Sequence, residues 1–351
     1  MSDSKPPRDR ALSRVLADAI SSPVTTTLIA MIFMCAPALF ALTPGRQISA
    51  SPASIAFAHC DSRHLVAEND TLASLSVRYF GDVRYSTAIL LATNMKGGAL
   101  PYRFISRPLH LEVGSTVCLP NQRDADTLRE RYEAYLNAGH AAMMAESEPP
   151  PEPLVALESG KPVTLVSWVR NDELAEYRSA KAAPRDLWVT VVPHLKDFCR
   201  DYAAEHEPEP EELSLRLEQR LGLPPGANKA AFVEFTLQNP NAFDRKTLFR
   251  PCGDPRTNTT VCNTEAEPAF DQIKPPDLPQ RYWFLQKYHE SYAHSEPYQY
   301  PWTGAGYTFD WATHGGGDQE FVRWGESEFV VPKGAPIIVR WVADTVAYCT
   351  P

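Results

Sequence analysis

An apolar run near the N-terminus constrains the fold of this chain more than any other feature. Residues 24–43 contain no charged side chain, and as a helix they would span about 30 Å, the thickness of a bilayer's hydrocarbon core. A basic segment comes before the run, with Lys5, Arg8, Arg10 and Arg14. The positive-inside rule predicts a cytoplasmic tail at 1–23 and a transmembrane helix at 24–43. We therefore expect a single-pass protein of a bacterial inner membrane, with its bulk in the periplasm.

A cleaved signal peptide is the alternative to this anchor. Residues 56–58, Ala-Phe-Ala, have the small side chains of a signal-peptidase site. That site would lie about fifteen residues beyond the apolar run, and the run is longer than the apolar core of an ordinary signal peptide. We therefore favour an uncleaved anchor, followed by a tether at 44–59 that is rich in Ser, Ala and Pro.

The cysteines fit an exported chain. Six of the seven lie outside the apolar run, at Cys60, Cys118, Cys199, Cys252, Cys262 and Cys349. An even number in an oxidising compartment favours disulfides. For the last four we prefer the pairs Cys252–Cys262, which closes a short loop, and Cys199–Cys349. Zinc ligation is the alternative, but the sequence has no Cys-x-x-Cys or His-x-x-x-His spacing, so we expect no metal.

Charge and composition narrow the function classes. A net charge of -9 argues against a nucleic-acid surface, which is normally basic. A hydrophobic fraction of 44% is enough for a sizeable core, and 351 residues usually form one or two domains. Residues 304–306, Gly-Ala-Gly, lack the βαβ frame that a dinucleotide needs, so we expect no cofactor.

The most distinctive pattern lies in residues 60–120. It contains His-Leu-Val-Ala-Glu-Asn-Asp-Thr-Leu at 64–72, Ala-Thr-Asn at 92–94, and a segment at 111–120 that ends in Val-Cys-Leu-Pro. The order is a strand, an Asp-Thr-Leu turn, a helix, a second helix that ends in Asn, and a return strand. This pattern resembles the LysM module, a small βααβ fold. LysM modules bind glycans that contain N-acetylglucosamine, chiefly peptidoglycan and chitin.

The resemblance implies a glycan groove between the turn and the loop after the second helix. Asp70, Thr71 and Leu72 match one wall, and Asn94 begins the other. In the family the contacts are largely backbone groups plus a few apolar side chains. The terminal strands lie side by side in this fold, which implies a Cys60–Cys118 disulfide.

Two details of this segment bear on the groove. Asp70 is suitably placed to act as the N-cap of a helix over 71–80, a role that needs no ligand. A long insert at 95–110 falls where the second wall should lie, and we expect it to reshape the groove.

The rest of the chain divides by composition. Residues 121–147 have apolar side chains at helical spacing and predict an amphipathic helix. The acidic, Pro-rich segment 148–160 predicts a stiff linker. Residues 161–351 contain β-branched and aromatic runs, which predict a β-rich, sandwich-like α+β domain with disulfides. Its expected helices lie at 211–221 and 281–292.

The C-terminal domain offers one weak candidate for catalysis. Asp310, His314 and Asp318 could form an acid–base pair or a metal site, beside three glycines that let the backbone approach a ligand. The plainer interpretation is a glycine-rich turn with solvated side chains. Glu234 alternates with apolar neighbours and is expected to face solvent. The aromatic residues between 282 and 324 would suit either sugar stacking or core packing.

Taken together, the residues predict a membrane-anchored periplasmic protein whose LysM-like module binds peptidoglycan. The C-terminal domain at 161–351 receives no role and the protein partner is not indicated. The alternatives are a cell-wall hydrolase tethered by the module and an envelope assembly factor that uses the module for protein contact. We favour a binding protein over an enzyme.

Overall fold

The structure, a computed structural model, describes residues 60–96, 101–105, 110–144, 153–157, 161–237, 247–252, 278–292, 300–314 and 320–350. The predicted tail, transmembrane helix and tether at 1–59 lie outside the described residues. Within the described ranges, no helix is both long and apolar enough to cross a membrane.

Residues 60–120 form the predicted βααβ unit, which we call the module. Its elements are β1 (Cys60–Leu65), α1 (Leu72–Phe80), α2 (Ser86–Asn94) and β2 (Thr116–Pro120). The two strands pair antiparallel. Leu72 and Leu75, three residues apart on α1, point into a core with Ile89 and Val117 because side chains at this spacing share one helix face. The Cys60–Cys118 disulfide joins the two strands, as predicted.

A long amphipathic helix follows the module. Helix α3 (Gln122–Met144) buries Leu128, Tyr132 and Tyr135 along one side. These side chains lie in one core with Leu91 of α2 and with aromatic residues of the C-terminal sheet. The amphipathic helix is confirmed, and its apolar face joins the module to the sheet.

The C-terminal part contains one six-stranded antiparallel sheet. Its strands are β3 (Thr164–Arg170), β4 (Leu187–Val191), β5 (Lys229–Leu237), β6 (Tyr307–Thr313), β7 (Phe321–Val331) and β8 (Ile337–Asp344). They lie in the order β6-β7-β4-β3-β5-β8. The α+β class is confirmed, but the sandwich is wrong for the described residues, because helices rather than a second sheet cover one side.

The helices of this part are α4 (Leu174–Tyr177), α5 (His194–His206), α6 (Pro210–Arg220), α7 (Leu278–Tyr292) and α8 (Thr345–Cys349). We call the side of the sheet that carries Val166 and Phe232 the helix face, since both pack with α5, α6 and α8. The opposite face carries Val233 and Phe235.

Cys199 and Cys252 each form a disulfide. Cys199–Cys349 is present and links α5 to α8. Cys252 is disulfide-bonded, and its partner lies outside the described residues, where Cys262 also lies.

The predicted linker at 148–160 is described only at 153–157, and that part packs against the sheet. The Val155 amide donates to Ser327 Oγ at 2.9 Å, and the Val155 carbonyl accepts from Arg250 at 2.6 Å. Leu154 and Leu157 are buried. The sequence predicted a stiff linker over 148–160, and its described part packs on the sheet, because Leu154 and Leu157 contact apolar side chains there.

Candidate functional site

The turn between β1 and α1 is held by hydrogen bonds of its own side chains. Asn69 adopts a left-handed conformation with φ of 69°, which Asn tolerates better than most residues. Thr71 is the N-cap of α1: its hydroxyl accepts from the Ser74 amide at 3.0 Å, and Ser74 Oγ accepts from the Thr71 amide at 2.9 Å. The prediction that Asp70 is the N-cap is therefore wrong by one residue.

Asp70 instead ties the turn to the strand before it. One carboxylate oxygen lies 2.6 Å from His64 Nε2 and accepts from the Ala67 amide at 2.9 Å, and the other accepts from Arg78 at 3.3 Å. The hydrogen bonds from His64 and Ala67 lower the pKa of Asp70, since they favour its charged form. Tyr79 lies 3.1 Å from the other ring nitrogen of His64. Both oxygens of the Asp70 side chain are therefore hydrogen-bonded within the module.

The side chains of Asn94 and Leu72 also make contacts within the module. The Asn94 side chain is fully buried; it accepts from the Ile105 amide at 2.7 Å and donates to the Ile105 carbonyl at 3.2 Å. This pair of bonds fixes Ile105, in the described segment 101–105 of the insert, against α2. Leu72 lies in the module core. Of the four residues predicted to contact glycan, only Thr71 exposes its side chain.

The turn therefore presents backbone groups more than side chains. The amides of Leu72 and Ala73 lie in the first turn of α1, where a helix has no acceptor of its own for them. Beside the turn, the Val66 amide donates to the Ser115 carbonyl and the Gly114 amide donates to the Val66 carbonyl, each at 2.8 Å. These bonds hold the 110–115 segment next to the turn as a second wall.

Apolar side chains are exposed near both walls. Leu65, at the end of β1, is 66% exposed, and Val113, in the second wall, is 64% exposed. The segment 101–105 is stapled to the second wall by the Arg103–Glu112 ion pair at 2.8 Å. A turn whose helix amides lack an acceptor within the helix, with a fixed backbone and exposed apolar side chains nearby, can bind a ligand that offers carbonyl acceptors and apolar patches.

The catalytic candidate of the C-terminal domain is not assembled by the described residues. Asp310 is fully buried, and both of its oxygens accept from Arg216 of α6, at 3.0 and 2.7 Å. His314 is exposed just beyond the end of β6, and Asp318 lies outside the described residues. Asp310 thus has a structural ion pair in place of the predicted acid–base role. No cluster within the described ranges could hold a metal ion.

Buried polar groups of the helix face were missed by the sequence analysis. Glu234 is only 9% exposed and pairs with Lys196 of α5 at 3.0 Å, so the expectation that it faces solvent is wrong. Lys196 also lies 4.0 Å from the centre of the Trp341 ring, a cation–π contact. Strand alternation placed Glu234 opposite Val233 correctly, but it could not show that a helix covers that face.

A second buried carboxyl lies on the same face. Glu328 of β7 accepts from the Trp302 indole at 3.0 Å, and its register partner on β4 is Thr190. Burial raises the pKa of Glu328 to about 8, because a low-dielectric site disfavours the charged form. The carboxyl is therefore mostly protonated at pH 7.

The chain matches no protein-family model, no curated protein and no solved structure.

Proposed function

We propose that this chain is an envelope protein whose module binds peptidoglycan through the β1–α1 turn and the 110–115 wall. The observation that carries the proposal is the construction of the turn. The side chains of Asp70 and Thr71 hydrogen-bond backbone amides of the turn and hold its shape. The first amides of α1 therefore remain for a ligand. The acetamido groups of peptidoglycan sugars supply the carbonyl acceptors that such amides need.

The exported environment supports the same proposal. Cys60–Cys118 and Cys199–Cys349 are disulfides, which persist in oxidising compartments such as the periplasm. The uncharged run at 24–43 would anchor the chain in the inner membrane. An anchored protein of this kind would meet peptidoglycan directly.

The test is retention of the full-length protein, in detergent, on purified peptidoglycan. The variant Ala73→Glu puts a carboxylate beside the first-turn amides of α1, where a negative charge stabilises a helix N-terminus and so preserves the fold. We expect at least a fivefold loss of retention, because the new carboxylate occupies the amides.

Val77→Glu is the matched control. Val77 lies on the same helix, is 53% exposed and is one turn further from the β1–α1 turn. This variant adds the same charge and should be retained like the wild type. Failure of the wild type to be retained, or equal retention of both variants, would refute the proposal.

A further inference from the structure

Four side chains form a continuous group on the helix face, at a distance from the module. Trp188 and Thr190 are two residues apart on β4, so they share one face about 7 Å apart. Glu328 is the register partner of Thr190, which puts the two side chains about 5 Å apart at Cβ. Trp302 completes the group: its indole donates to Glu328, and its ring makes an edge contact with Trp188 at 5.9 Å.

The polar members of this group have unused hydrogen-bonding capacity. Thr190 is only 5% exposed, and its hydroxyl has no hydrogen-bond partner within the described residues. Glu328 is equally buried, and the Trp302 indole is the one donor to it in the same ranges. Buried polar atoms are nearly always satisfied, so the unpaired Thr190 hydroxyl beside Glu328 calls for a ligand atom or an ordered water.

The two tryptophans of the group indicate which chemical class of ligand could bind. Trp188 is 38% exposed, whereas Trp302 is only 5% exposed. The Trp188 indole packs against the Trp283 ring at 6.0 Å and keeps part of its surface exposed. Beside it, the Thr190 hydroxyl and the Glu328 carboxyl are cross-strand neighbours, so the group combines one apolar surface with two polar groups. With its pKa raised to about 8, the Glu328 carboxyl is mostly protonated at pH 7, so it can donate a hydrogen bond as well as accept one.

We propose that Trp188, Thr190, Glu328 and Trp302 form a sugar-binding site for a single pyranose unit. The apolar C–H face of the ring stacks on Trp188, and its hydroxyl edge bonds to Thr190 and Glu328. This site is separate from the module, and the proposal does not depend on peptidoglycan binding by the β1–α1 turn.

The experiment is a titration of the full-length protein, labelled with ¹⁵N at tryptophan, with glucose and with N-acetylglucosamine. Glycerol serves as a polyol control. The indole signals of Trp188 and Trp302, assigned from Trp→Phe variants, should shift with saturation in the millimolar range. Thr190→Val removes the hydroxyl at nearly constant shape, and we expect it to weaken binding about tenfold, since a ligand hydroxyl loses its partner.

Thr236→Val is the matched control for the threonine. Thr236 is a buried threonine of the same sheet, and its hydroxyl already accepts from Arg340 at 3.0 Å. Trp188→Ala removes the stacking surface and should abolish sugar binding, followed through the Trp302 indole signal. Its matched control is Tyr282→Ala, at an aromatic that is 65% exposed on α7. Neither control should change sugar binding.

Two results would overturn the site. Sugars that shift no indole signal beyond the glycerol control would show that the gap between Thr190 and Glu328 holds water only. A Thr190→Val variant that binds sugar like the wild type would show that binding occurs elsewhere. Failure of the module proposal is recognised separately, because Ala73→Glu should leave the indole shifts intact.

Discussion

Burial sets the charge of two glutamates. Glu218 accepts from the Gly226 and Ala227 amides at 3.0 and 2.8 Å, yet burial raises its pKa to about 7. Glu328, with one donor, is raised to about 8. In both cases the cost of removing a charge from water exceeds what the hydrogen bonds return.

Glu328 should make the stability of the protein depend on pH. Its ordinary value is 4.5, so a folded pKa of about 8 means that the folded state binds a proton more tightly than the unfolded state. The stabilisation is complete below pH 4.5 and is lost as the pH rises to about 8, at up to about 1.4 kcal/mol per pH unit.

The Glu328→Gln variant tests this directly. Gln keeps the carbonyl that accepts from Trp302 and cannot ionise. Urea unfolding at pH 5 and pH 8 should therefore show a smaller loss of free energy of unfolding in the variant than in the wild type. Glu218 is present in both proteins, so its own titration cancels. Parallel pH profiles would contradict the buried, neutral carboxyl.

For single residues, the sequence predicted where an element begins or ends better than it predicted which groups a side chain hydrogen-bonds. Asp-Thr at 70–71 marks the start of a helix, but which of the two side chains caps it depends on His64, six residues before Asp70. The role of Asn94 depends in the same way on Ile105, inside an insert without a regular pattern. Contacts of this kind arise only when distant segments meet.

Helix α6 is fastened to the edge of the sheet by charge. Arg216 makes two bonds to Asp310 of β6, and Arg220 bonds Glu326 of β7 at 2.8 Å. Asp310 is fully buried. An ion pair taken out of water becomes costly when one partner is removed, because the other charge stays buried.

Replacement of Asp310 by Asn should therefore cost stability. We expect the free energy of unfolding in urea to fall by roughly 3 kcal/mol, since Arg216 loses its counter-charge. Glu205→Gln, on the exposed side of α5, removes one negative charge as a control and should change little. An unchanged stability for Asp310→Asn would contradict the structural role assigned to this carboxyl.

Periodicity predicted most of the elements and missed three helices of the C-terminal part, α4, α5 and α8. Helices α3 and α6 have apolar side chains at helical spacing, and the structure has both close to the expected bounds. Helix α5 has the same spacing in Leu195, Phe198, Cys199 and Tyr202, which the sequence analysis overlooked. Without α5 and α8, the predicted helix at 211–221 was too little to cover the helix face, and a second sheet was expected instead.

The module and the sheet share one core. Tyr132 and Tyr135 of α3 lie with Leu91 of the module and with Phe309 and Trp311 of β6. The Trp311 indole also donates to the Leu223 carbonyl at 2.9 Å. Composition predicted a boundary after α3, because the acidic and Pro-rich run there is typical of linkers, but the packing partners of α3 lie beyond that run.

A shared core has a consequence for the proposed binding. The β1–α1 turn is held by its own side chains and by a module that packs on α3. A glycan bound at the turn would therefore meet a preorganised surface, and ordering costs would be small.

Hydrogen–deuterium exchange of the full-length protein with soluble peptidoglycan fragments tests the central claim most directly. Amides of the β1–α1 turn and the 110–115 wall should exchange more slowly when the fragments are added, because ligand carbonyls accept from them. The Ala73→Glu variant should show no such protection. Protection confined to other segments, or none at saturating fragment, would contradict peptidoglycan binding by the module.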